Sequence, residues 1–128
     1  QPAPTRIEFR IRAGTGSSAW NNQAETVVGV VGQTLRVYND DTVPHRLHTN
    51  GVPFPHAATD IAPNSFQDFM LQAPSPAANL IYDHNFGQNA RFWLEVSGVR
   101  AEATVAVSTM WAPRGTVGPT VRSALLRV

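Results

Sequence analysis

The sequence contains no cysteine, so it can form neither a disulfide framework nor a thiolate metal site. It contains no lysine either: all ten basic residues are arginine, scattered without a run or stripe. With nine acidic residues the formal charge is only +1, and there is no electrostatic footprint for nucleic acid. No stretch approaches the roughly 18 apolar residues of a membrane span, which predicts a chain without one. No helical periodicity runs beyond about ten residues, and no internal repeat is present. Catalytic signatures are missing too. There is no Gly-x-Ser-x-Gly, the Gly14–Ser18 stretch is a lone Gly-rich loop, and Asp40-Asp41 reads as a turn. Trp20, Trp93 and Trp111 read as core or interface residues rather than a sugar platform.

What is present points to short strands. In a chain of 128 residues, ten Pro and nine Gly punctuate alternating segments, and 42% hydrophobic residues suffice for a core. Residues 5–12 alternate, with Ile7, Phe9 and Ile11 on one face and Arg6, Glu8, Arg10 and Arg12 on the other. Further strands are predicted over 25–31, 34–38, 44–49, 65–71, 79–83, 91–96 and 101–111. The stretch 123–128 is either a last strand or a helical turn. Strands at this spacing predict an all-β antiparallel sandwich or barrel forming a single domain. The opening Gln1-Pro2-Ala3-Pro4 reads as a mature end left after signal-peptide removal, which predicts a periplasmic or secreted protein.

The four histidines carry the chemistry. His45, His48 and His56 lie close together, and His84 ends a predicted strand further on. All four fall at strand ends or in loops, positions that a sandwich gathers at one rim. Imidazole suits copper, zinc, iron and nickel, with divalent copper bound most tightly. Read as ordinary residues, two or three of the four would simply sit in surface turns. His45 and His48, three apart, face opposite sides of a flat strand about 10 Å apart along the chain, unless a bulge or turn intervenes. His56 rides on a Pro-stiffened loop that could fold over the same rim.

The segment 32–45, Gly-Gln-Thr-Leu-Arg-Val-Tyr-Asn-Asp-Asp-Thr-Val-Pro-His, resembles the cupredoxin pattern, in which a strand ends in an Asn-containing turn before the first copper ligand. Ile61-Ala62-Pro63-Asn64 resembles that family's I-x-P-G turn, with Asn64 in the Gly position. Leu80-Ile81-Tyr82-Asp83-His84 resembles its penultimate strand and Phe92–Val96 its closing strand. The resemblance covers about 25–96 and leaves 97–128 as a C-terminal extension. It implies a cupredoxin-like Greek-key β-sandwich and makes His45 the matched first ligand. Where the family carries its Cys, this chain has Asp83 or His84, so a blue site cannot form.

The expectation is therefore a non-blue site for one copper ion, Cu(II), with zinc as a substitute. Its ligands are His45 and His84, aided by His48 and His56, with Asp83 as a carboxylate ligand or an acceptor orienting a His ring. Such a site suits copper binding, trafficking or homeostasis, with a copper-trafficking or redox protein as partner, more than catalysis. Two alternatives are a metal-free protein-interaction module of the same fold and a slow copper-dependent redox protein. The extension is expected to support self-association into a homo-oligomer.

Overall fold

In the computed structural model, residues 5–76 and 80–98 are described, and they fall within the unit Pro4–Gly98. The alternation read at 5–12 becomes strand β1 (Arg6–Ile11), with its charged side chains exposed and Ile11 fully buried. A short 3-10 turn (Gln23–Glu25) is closed by a reciprocal cap. The Asn22 side chain accepts from the Glu25 amide, and Glu25 accepts from the Asn22 amide. Then follow β2 (Val27–Val30), β3 (Thr34–Asn39), β4 (Leu47–His48), β5 (Ser65–Met70), β6 (Leu80–Asp83) and β7 (Gly87–Ser97). The strands predicted over 101–111 and 123–128, and the C-terminal extension as a whole, lie outside the described residues.

Two sheets result. One has the order β1-β3-β5, with β1 parallel and β5 antiparallel to β3; the other has the order β2-β7-β6-β4, with only β2 and β7 parallel. Parallel neighbours within a meander of short loops require the chain to cross between sheets. The fold is thus a Greek-key sandwich rather than an up-and-down one. Period-two burial in β3 sends Leu35, Val37 and Asn39 inward, and β7 does the same with Phe92, Leu94 and Val96. With Ile11, Leu47, Phe69, Leu71 and Ile81 they form the core, and Trp20 fills one end of it beside Phe92.

Polar side chains fix the turns next to the histidines. Asn39, fully buried at the end of β3, donates to the carbonyls of Val43 and Ile61 (both 2.8 Å) and accepts from the Asp41 amide (3.0 Å). One side chain thereby ties the 39–45 turn to the segment before β5. That segment turns at Asn64, whose φ of 62° is the left-handed conformation that a Gly would otherwise supply. β7 starts four residues before the predicted 91, because the turn after β6 is shorter than composition suggested.

Candidate metal centre

The segment 45–49 is extended and alternates strictly. His45, Leu47 and Thr49 are buried, whereas Arg46 and His48 lie on the outer side. No bulge intervenes, so the two histidines face opposite ways. On the outside, His48 is paired in register with Tyr82 of β6 and stacks on its ring, with centroids 4.2 Å apart and planes at 17°.

His56 reaches the same face because its loop is pinned at both ends. Thr49 Oγ1 donates to the Phe54 carbonyl (2.7 Å), Phe54 is buried in the core, and the Ala57 amide donates to the Leu47 carbonyl (3.0 Å). His84 follows β6, just past a register shift between Tyr82 and Asp83, and its amide donates to the Arg46 carbonyl (2.7 Å). Ile81 and Asp83 are buried, so period two puts His84 on the outer side with Tyr82, two residues before it.

His48, His56 and His84 can each offer one ring nitrogen such that the three lie within 4.8 Å of one another. His56 Nδ1 donates to the Ala57 carbonyl (2.8 Å), which leaves Nε2 as the free lone pair, and that atom lies 3.2 Å from His84 Nδ1. Burial pushes the His48 pKa down, and the neighbouring His56 and His84 add to this against a hydrogen bond with Asn50. A neutral imidazole is the form that binds metal. His48 and His56 are half-buried and His84 is exposed, so the group opens to solvent on one side.

His45 and Asp83 stand apart from this group. His45 is fully buried between two carboxylates: Nδ1 meets Asp83 Oδ2, and Nε2 lies 2.9 Å from Asp41 Oδ2. Burial alone would lower the His45 pKa, but its hydrogen bonds to Asp83 and Asp41 and their charges outweigh that and raise it. Both ring nitrogens are thus engaged by carboxylate oxygens, and His45 lies outside the three-histidine group. Asp41 resists protonation for a matching reason. Burial would raise its pKa, but hydrogen bonds from His45 and from the amides of Gly14, Gly16 and Thr42 hold it far below the usual carboxylate range. Asp83 Oδ1 accepts from the amides of Asn85 (2.6 Å) and Phe86 (3.3 Å).

Sequence reasoning did not single out Asp41, beyond reading it as part of a turn, nor the stack of Tyr82 on His48. The former signal lay in an acidic residue four positions before His45, the latter in cross-strand register, which spacing alone does not give.

No family model matches the chain, and no curated protein matches it by sequence. Solved structures do match in fold. A Cu(I) form of an amicyanin variant superposes with a TM-score of 0.54 at 15% identity, covering 74% of this chain and 85% of that one. A purple cupredoxin from Nitrosopumilus maritimus gives 0.52 at 17% identity, covering 70% of this chain and 98% of its own.

Proposed function

We propose that this chain, a cupredoxin in fold, binds one copper ion through His48, His56 and His84 and serves in copper binding or hand-over within an exported setting. The observation that supports this most is the convergence of the three imidazole nitrogens on one face, with one tautomer already set by a backbone carbonyl. The donor set suits Cu(II), and zinc would occupy it as a substitute. When bound, an ion held by nitrogen without thiolate favours the divalent state and reorganises on reduction, which disfavours fast electron transfer.

A thiolate centre at the family's usual place does not fit this chain. The Cys position falls on Asp83 or His84; Asp83 is joined to His45, and the other nitrogen of that ring is held by Asp41. The outer group is reached from solvent through His84, and the chain's own residues there bind and orient. A copper-trafficking protein that presents its own ligands to this open side is the partner such a site would suit.

The test is a Cu(II) titration of the metal-free protein at neutral pH, followed by electron paramagnetic resonance. One tight equivalent with nitrogen hyperfine structure is expected, lost in His48→Ala and His84→Ala. Weak, multi-equivalent binding that ignores both substitutions would instead favour a metal-free interaction module.

A further inference from the structure

Asp83 is fully buried, and both its oxygens are committed. Oδ2 faces His45, while Oδ1 receives the amides of Asn85 and Phe86, the residues that follow His84 in its turn. The His45 ring cannot swing away from Oδ2, because Asp41 holds its opposite nitrogen and is itself held by the 14–16 loop. The carboxylate is thereby clamped with its second oxygen aimed at the turn. The other anchors of the turn are the His84 amide on the Arg46 carbonyl, Asn85 Nδ2 on Asp60 Oδ1 (3.1 Å), the Phe86 ring against His45 (centroids 5.4 Å) and the pairing of Asp83 with Gly87. His84, Asn85 and Phe86 are all exposed.

From these contacts we infer that Asp83, backed by His45, is a positioning residue for the three-histidine group: it fixes the turn that holds His84 Nδ1 beside His56 Nε2. This rests on reading that group as the metal site. Two residues that the sequence offers as ligands thus act from beneath the site without touching the ion. The exposed histidine is the one that most needs such support, since packing does little to restrict its side chain. A carboxylate that organises a ligand-bearing turn commonly changes metal affinity by about 10–100-fold when altered.

The test uses the full chain with Zn(II) as a diamagnetic probe and ¹⁵N NMR of the imidazoles. On titration, ring nitrogens of His48, His56 and His84 should shift, while both nitrogens of His45 stay protonated and unmoved. Movement of a His45 nitrogen into the metal-bound range would make it a ligand and overturn the inference. No shift on any of the four would overturn the metal reading itself. Asp83→Ala, which removes the acceptor of both amides, should weaken Zn(II) binding by about tenfold, whereas Gly29→Ala, which crowds Leu71 and Ile7 outside the clamp, should leave it within about twofold. Equal loss in both variants, or none in Asp83→Ala, would overturn the positioning role. Should either variant fail to fold, amide exchange in the metal-free wild type decides. Slow exchange at Asn85 and Phe86 supports the clamp, and free exchange there removes it.

Discussion

His45 and His48 sit three residues apart on one extended segment and face opposite sides of it, His45 sealed inside between two carboxylates and His48 outside against Tyr82. The same side chain chemistry therefore does two jobs within one turn-length of chain. Inside, hydrogen bonds to two carboxylates and their charges outweigh burial and raise the imidazole's pKa. Outside, burial and two other imidazoles lower it.

Substitution should separate the two jobs. His45→Ala leaves Asp41 and Asp83 buried without a cation and should cost about 3–5 kcal/mol of stability. His48→Ala removes a ring stack and should cost about 1 kcal/mol while abolishing tight metal binding. Urea unfolding together with Zn(II) titration reads both quantities, and a stable His45→Ala protein would refute the interior ion triad.

The triad also sets a pH window. His45 is raised above its unfolded value of about 6.5, so its contribution is complete below that pH and is lost as pH rises through the folded pKa. Asp41 is lowered from 3.8, so its contribution is present above that value and is lost as pH falls. The stability gap between wild type and His45→Gln should thus be widest between these limits and should narrow toward pH 9. Using the gap cancels His48, whose lowered pKa acts in the opposite sense. A gap that is constant from pH 5 to pH 9 would show that His45 is not charged.

Tyr82 supports His48 by stacking rather than through its hydroxyl. Tyr82→Phe should leave metal affinity unchanged, and Tyr82→Ala should weaken it several-fold, in line with about 0.5–1.5 kcal/mol for an aromatic pair. Competition with a chromophoric chelator measures this directly.

Gly29 in β2 has no room for a methyl group. A Cβ there would lie 2.8 Å from Leu71 Cδ1 and 2.9 Å from Ile7 Cδ1, and Leu71 is fully buried. Gly29→Ala should destabilise the domain by about 1–3 kcal/mol without altering metal affinity, as thermal unfolding and a Zn(II) titration would show.

Much of the fold was legible from the sequence, because period two is a local property. Ile7, Phe9 and Ile11, or Leu35 and Val37, declare their inward face without reference to any partner. Asn64, which the resemblance placed in the family's Gly position, adopts a left-handed φ of 62°. The site was legible as a set of four histidines at strand ends or in loops, and spacing left two outcomes for His45 and His48: opposite faces of a flat strand, or one face across a bulge. Assigning His45 as the matched ligand came from the resemblance, and the structure keeps it out of the three-histidine group. Its two carboxylate partners come from the turn before it and from a strand far along the chain. Only tertiary placement shows that both of its nitrogens are taken. The convergence of His56 with His84 equally depends on a pinned loop and on the pairing of β4 with β6, which no spacing rule encodes.

The three nitrogens of the outer group come from β4, from the loop after it, and from the turn after β6. A ribosome emits these pieces in order, and they come together only once β6 has paired with β4. Under the proposed function, copper therefore has no half-built cradle to enter on the emerging chain. Loading would follow folding, so where the chain folds, rather than where it is synthesised, would decide which metal pool it meets.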